Sequence, residues 1–448
     1  MLAAARAETA VSLAFHICFA VFGVGLPWLL LYAEDRAIRT GDPAWMALAR
    51  KWSRAFAVLF AVGAVSGTVL SFEFGLLWPA FLGTYGGVLS LPFTLEAFAF
   101  FAEAVFLGLY LYGWKKLKPR THWWTGVPVA IAGSFSTLFI VTANAWMNVP
   151  TGIKERNGKV VSAEPLAPLT GPAAAPESLH MLLAALMCTG GVVASIYAIG
   201  MLRGRRDSYH RKGFAVGLVT VLAFAPLQVV IGDWSARVVE ANQPAKFAAL
   251  EGLGHSQTHA PLTIGGIYDP KSGRIVDGLR IPDGLSILGH FNPSARIRGL
   301  DVAAPADRTP FVTGVHLCFD LMVGIGTGLL ALAGLVFLAA AVDRRRGGTW
   351  RLRRGRWWLR AAALTGPGAM AAMMAGWMVT ELGRQPWIVY GRMRVAQAVT
   401  DSTDVGWWLA ATIVLYTTLA VALIFILRKM ATGGPVPAQP QPILVRSA

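Results

Sequence analysis

Charge is what this sequence has least of. Only 14% of its 448 residues are charged, where a soluble domain carries about a quarter. That deficit argues against an ordinary soluble fold. Cysteine is nearly absent too. The three present (Cys18, Cys188, Cys318) lie in separate apolar blocks, with no CxxC and no CxxCH. Neither a disulfide framework nor covalently attached c-type haem is supported, and buried free thiols are expected. No internal repeat is evident, which disfavours an inverted-repeat transporter. The first apolar block has no basic n-region and is long enough to span a membrane, so no cleavable signal peptide is expected.

What fills the space is apolar. Hydrophobic residues make up 55% of the chain, and the mean hydropathy is +0.53. A stretch of about 20 apolar residues crosses the hydrocarbon core. Nine such spans are expected, at 9–33, 53–78, 93–114, 125–147, 177–203, 213–234, 311–340, 358–379 and 405–427. The fold class is therefore all-α and polytopic. The chain divides into spans 1–6 (1–234), a long polar loop (235–310), spans 7–9 (311–430) and a Pro-rich tail (431–448) expected to be disordered.

Net charge is +16, which invites a nucleic-acid reading. The basic residues, however, sit in short connections between apolar blocks, and no nucleic-acid partner is expected. Loops 1, 3, 5 and 7 are rich in Lys and Arg, whereas the connection 79–92 has none. The positive-inside bias then places the N-terminus outside and the C-terminus in the cytoplasm.

Ionisable residues within spans are expensive and mark function by default. They are few: His16, Glu96, Glu103, His180, His316, Asp320 and Glu381, with Glu73 near the end of span 2. With the alternating topology, His16, Glu96, His180, Met322 and Glu381 come from five helices yet fall at a similar depth near the outer face. Imidazole and thioether on different helices suit a low-spin b-type haem. His16 with a carboxylate suits a haem whose other face stays open. Glu96 and Glu103 are seven residues apart, close to two turns, and so share one face of span 3 about 10 Å apart. That is the geometry of a proton path. The bland readings are a packing methionine, an interfacial histidine and satisfied structural acids. A proton-coupled transporter using the two glutamates is the alternative from another class.

Several segments, taken in order, resemble subunit I of cytochrome bd quinol oxidase over nearly the whole chain. They are FHICF around His16, GAVSGTVLSFEFGLLW, LEAFAFFAEA, TANAWMNVPTG, the His180 segment, QPAKFAALEG, FDLMVGIG and TELGRQPWIVYG. The resemblance implies two haem b, one low-spin and one high-spin, and one haem d. It implies His180 and Met322 as axial ligands of the low-spin haem. His16, Glu96 and Glu381 become ligands of the high-spin pair, with their assignment to either iron left open. It implies Glu103 in proton delivery, Lys246 and Glu251 as a quinol-loop pair, and Arg384 and Trp387 around a haem. The loop is compact, as in a short quinol-loop member, and Asp320 stands two residues before Met322 with no assigned role. Quinol, oxygen, membrane lipid and a second membrane subunit are the implied partners, with a small single-span accessory subunit as an option. The implied setting is the bacterial inner membrane. A paralogue with another electron donor is the alternative within the class, and retention of Lys246 and Glu251 argues against it.

Overall fold

The structure, a computed structural model, describes residues 1–156, 159–346 and 354–432. Most of the expected tail and part of the seventh loop lie outside the described residues. Among those described, nine helices are long and apolar enough to cross a membrane. Spans 1–4 are Leu2–Thr40, Pro43–Leu77, Pro79–Gly113 and Pro119–Asn148. Spans 5 and 6 are Ala174–Leu202 and Ser208–Asn242. Spans 7–9 are Val312–Arg345, Arg356–Arg384 and Val405–Thr432.

Local chemistry explains several boundaries. Span 1 ends at Gly41, which adopts φ 66 and returns its N–H to the Ala37 carbonyl. Asp42 then caps span 2 by accepting from the Ala44 N–H at 2.9 Å. Pro43, Pro79 and Pro119 open spans 2, 3 and 4 at the first turn, where a missing N–H costs nothing.

One boundary corrects the sequence reading. Residues 79–92, expected as a loop, are helical, and span 3 starts directly after the break at Trp78. An amphipathic pattern drives this: Phe81, Tyr85, Val88 and Leu89 are buried against Trp146, Val389 and Val395. Span 6 also runs past its expected end at 234, to Asn242.

The bundle has two unlike ends. The basic end carries the Lys/Arg-rich connections. The loop end carries the segment from Gln243 to Phe311, which is folded rather than structureless. It contains the short helix Pro244–Leu250, paired strands Leu262–Ile264 with Leu279–Ile281, paired strands Ile267–Asp269 with Arg274–Val276, and helix Gly284–His290. Its core is Phe247, Leu250, Leu253, Leu285, Ile297 and Leu300. Span 7 holds it in place. The His316 Nδ1–H donates to the Leu250 carbonyl at 2.7 Å, and Asp320 accepts from the Gly265 N–H at 2.6 Å. Asp320 is therefore an anchor for the loop, a role its sequence position did not reveal.

Candidate haem and quinol site

Span 1 presents His16 to span 2. The Ser66 hydroxyl donates to the Val62 carbonyl at 2.9 Å, so its oxygen is free to accept from His16 Nδ1–H at 3.1 Å. That fixes the proton on Nδ1 and leaves the Nε2 lone pair for a metal. Gly67 lies beside the imidazole, and a Cβ there would sit 2.9 Å from His16 Cε1. His180 lies against span 6, within 3.2 Å of the Gln228 amide and next to Gly232. Met322 lies against span 8, its sulfur 2.9 Å from where a Gly376 Cβ would be. Each of these three side chains thus occupies room made by a glycine of the neighbouring helix.

A shared apolar cluster joins these positions. It includes Leu13 and Ile17 beside His16, Met181 beside His180, Ile325 one turn beyond Met322, and Trp377 of span 8. On span 3, Glu96 is 3.4 Å from Ser136, and Glu103 lies beside Gly133, so both carboxylates face span 4 as their spacing predicts. Glu103 also approaches Gly23, seven residues beyond His16, just as Glu103 is seven beyond Glu96. Spans 1 and 3 run parallel, which puts His16 and Glu96 at one level. Ser178 bonds to the Leu138 carbonyl at 3.3 Å, bringing His180 to the same level. Met322 belongs there through Gly376.

Glu381 does not share that level. It lies five residues beyond Gly376, about 7.5 Å nearer the loop end. The expected common depth therefore holds for four residues, with Glu381 a turn and a half above them. There Glu381 accepts from Asn144 at 3.0 Å and pairs with Arg384 at 2.8 Å. Asn144 in turn accepts from Asn148 at 3.1 Å, and Asn148 Oδ1 accepts from Lys246 Nζ at 3.3 Å. One hydrogen-bonded chain links the loop lysine to the span 8 carboxylate. Glu177 joins it through Asn148. Asn144, Asn148 and Glu177 were missed by sequence reasoning. TANAWMNVPTG stood out as a motif, but an amide carries no signal of charge or ligation, and Glu177 reads as an ordinary first-turn acid.

The expected Lys246–Glu251 pair is not brought together. Lys246 is 3% exposed and points at Asn148 and Gly383. Glu251 lines a cleft with His255, Thr263, Arg274 and Arg280. Burial pulls the Lys246 ammonium down to about 8, partly opposed by Glu177. Burial, followed by the nearby Asp320 and Glu240, pushes the Glu251 carboxyl up to about 8. Trp387 lies just past the end of span 8. It starts a short hairpin with its ring under the Arg394 guanidinium at 4.9 Å, and Arg394 pairs with Asp307 at 2.5 Å. Its recorded contacts tie the hairpin to the 300–311 segment. Gln385 accepts from Arg6 at 2.7 Å.

Do these residues fit haem? Buried polar atoms without a partner include Arg384 Nη1, Arg6 Nε and Trp377 Nε1, alongside the imidazoles of His16 and His180 and the Met322 thioether. Cationic donors for propionates and soft axial ligands in one apolar region are what a haem requires. The donor set fits.

The sequence pattern of the family described as cytochrome bd terminal oxidase subunit I matches residues 4–435. The chain belongs to this family. A Bacillus subtilis (strain 168) protein provisionally named cytochrome bd menaquinol oxidase subunit I is 33% identical over 441 residues, covering 96% of this chain and 97% of the relative. The Escherichia coli (strain K12) cytochrome bd-II ubiquinol oxidase subunit 1 is 28% identical, covering 96% of each. The bd oxidase structure from Geobacillus thermodenitrificans aligns with TM-score 0.88 at 36% identity, covering 96% of this chain and 98% of that one. The chain is accordingly a multi-pass protein of the bacterial inner membrane, a subunit of a haem-containing terminal oxidase.

Proposed function

We propose that this chain is the catalytic subunit of a quinol oxidase in which the loop-end cleft takes quinol, with electrons passing from there to oxygen. The enzymatic class, quinol:oxygen oxidoreductase, is that of the family. The single observation that carries the residue-level reading is the chain Lys246–Asn148–Asn144–Glu381, which joins the quinol loop to the ligand region without a gap.

In this reading His180 and Met322 hold a low-spin haem b, and His16, Glu96 and Glu381 hold a high-spin haem b and a haem d. Bound there, these groups supply the one-electron steps between quinol and oxygen. The chain's own residues supply the protons and the positions. Glu251, at the cleft, accepts a proton from quinol in its carboxylate form. Lys246 and Arg384 keep positive charge beside Glu381 and Glu177, and Arg384 is available to a propionate. Glu103 and Glu96 pass protons along the span 4 side of span 3 toward the oxygen-reducing site. With the N-terminus outside and the basic end in the cytoplasm, quinol protons leave outside and oxygen's protons enter from inside. Charge separation then needs no pump. A second membrane subunit completes the enzyme, with room for a small single-span one.

The sign of the pH dependence follows from Glu251. Its carboxyl is protonated below about 8 and ionised above it, so proton acceptance from quinol increases as pH rises through that value. Glu251→Gln is expected to lower quinol oxidation by about 100-fold, in the range of a lost general base, and to remove this rise. The reduced-minus-oxidised haem bands should stay in place. Unchanged turnover, or an unchanged pH profile, would remove Glu251 from the reaction, and a purified protein without haem absorption would end the oxidase reading.

A further inference from the structure

Two carboxylates outside the site described above are buried together between spans 1, 2 and 9. Glu8 is 2% exposed and Glu73 is 5% exposed. Ser12 Oγ donates to Glu73 Oε1 at 2.5 Å, and Thr412 Oγ1 donates to Glu8 Oε1 at 3.4 Å. Ser12 lies one turn from Glu8 on span 1, so the two acids are stacked about one turn apart. Each keeps an Oε2 atom that is buried without a hydrogen-bond partner. The Tyr416 hydroxyl, one turn beyond Thr412 and 3% exposed, faces Ser12. Its ring stacks on Phe15 at 4.3 Å, which holds the hydroxyl at the level of Ser12.

Among the described residues, no cation pairs with either acid. On span 1 the nearest is Arg6, which is turned to Gln385. On span 2, Glu73 is the only charged residue between Arg54 and Leu77, and span 9 has none between Val405 and Leu427. Span 3 has none before Glu96, and Asp401 and Asp404 at the rim are acidic and exposed. At the loop end the pair is closed off by Ala5, Leu77, Trp78 and Val405. Two ionised carboxylates at such a site would be untenable without a compensating charge. A metal ion is not favoured, since no group of three or more His, Cys, Asp or Glu suited to a metal occurs among the described residues. Neutralisation of at least one of the two carboxyls by a proton remains, with the titration of each coupled to that of the other.

The next level inward holds His16 and Ser66. The order Glu8, Ser12, His16 repeats every four residues along span 1, and Glu73 follows Ser66 by seven along span 2. We propose that Glu8 and Glu73 form a coupled carboxyl dyad whose proton occupancy is linked to the redox state of the group held by His16. This rests on the reading of His16 as a haem ligand. The balance is simple. When the His16 site gains one electron from quinol, the dyad takes one proton from the aqueous phase, passing from one bound proton to two. Reoxidation returns that proton. One unit of charge about 10 Å away across a weakly polar interior changes proton affinity roughly tenfold, enough to couple the two events.

The test is a potentiometric titration of the high-spin haem bands of the purified oxidase across neutral pH, with infrared redox difference spectra in H₂O and D₂O. In the wild type the midpoint potential falls with rising pH, and a deuterium-sensitive carboxyl band accompanies reduction. Glu73→Gln and Glu8→Gln should flatten that slope and remove the band, with the low-spin haem spectrum retained as the control for folding. If neither glutamine variant assembles, Ser12→Ala is read instead. It removes a donor to the Glu73 carboxylate and should move the pH transition upward, so no movement would overturn the proposal. An unchanged slope and band in the glutamine variants would also overturn it. So would a stoichiometric calcium or sodium ion that the wild type retains and Glu73→Gln loses. His16→Ala separates the two layers. If both high-spin bands survive, the haem assignment itself fails. If one is lost while Glu73→Gln changes nothing, only the dyad fails.

Discussion

His180→Ala should abolish the low-spin haem band and lower quinol-driven oxygen consumption by more than about 100-fold. Loss of a residue that only orients a metal ligand costs 10- to 100-fold, and loss of the ligand itself should exceed that. The geometry makes the effect specific. His180 is held between the Gln228 amide and Gly232 and, among the described residues, its ring forms no ion pair. Nothing else in the fold depends on the imidazole, so the high-spin bands should persist as evidence of a folded protein. Met322→Leu should give the same spectral loss with little change in packing, because leucine replaces methionine at similar volume. Redox difference spectra of membranes carrying each variant check both. A low-spin band that survives either substitution would rule out that residue as an axial ligand.

The largest effect on stability is expected far from the haem residues, at the basic end. His122 Nε2–H donates to the Tyr110 carbonyl at 2.8 Å, a group that can only accept. Its Nδ1 then shares a proton with Glu34 Oε1 at 2.7 Å, and the Tyr110 hydroxyl donates to Glu34 Oε2 at 2.7 Å. His122 is 2% exposed and Glu34 is 1% exposed, with Trp114 and Tyr110 packed on the imidazole. This cluster ties spans 1, 3 and 4 together. His122→Leu strands the Glu34 carboxyl in an apolar site, a loss of about 3–5 kcal/mol by analogy with broken buried pairs. Thermal unfolding of the purified enzyme should move accordingly to lower temperature. The double replacement Glu34→Leu/His122→Leu should recover much of that loss, since the ionisable carboxyl is then gone and only the Tyr110 hydroxyl is left without its acceptor. A double variant no more stable than His122→Leu would show that shape, and not the stranded carboxyl, sets the cost.

The two substitutions probe features that were unequally legible in the sequence. His180 stood out because a histidine inside a span is rare and has few structural uses. The Glu34–His122 cluster gave no such signal: both residues lie at span ends, where charge is unremarkable, and their partnership joins positions 88 apart. The same contrast holds at the loop end. Lys246 and Glu251 were read as a quinol-loop pair from the resemblance in QPAKFAALEG, since their spacing alone suggests no more than a solvated loop pair. Five residues on a short helix and its terminal turn instead send one toward Asn148 and the other into the cleft. Residues 79–92 lacked charge and so looked like a short outer connection, yet their aromatic and aliphatic residues repeat at helical spacing and fold against the 387–399 segment.

By itself the sequence determined the number of spans and their order, and it singled out His16, His180 and Met322 as candidate ligands with the paired acids of span 3. These follow from local rules: a helix must be apolar over a fixed length to cross a bilayer, and an ionisable or soft side chain within that length is an exception that shows. Only the tertiary structure decided what surrounds those residues. It set Glu381 a turn and a half above the others, ran a chain of asparagines from it to Lys246, anchored the loop through Asp320, and left Glu8 and Glu73 facing no cation. Each of these depends on which helix faces which, and that is fixed by packing between segments up to several hundred residues apart, where sequence periodicity carries no information.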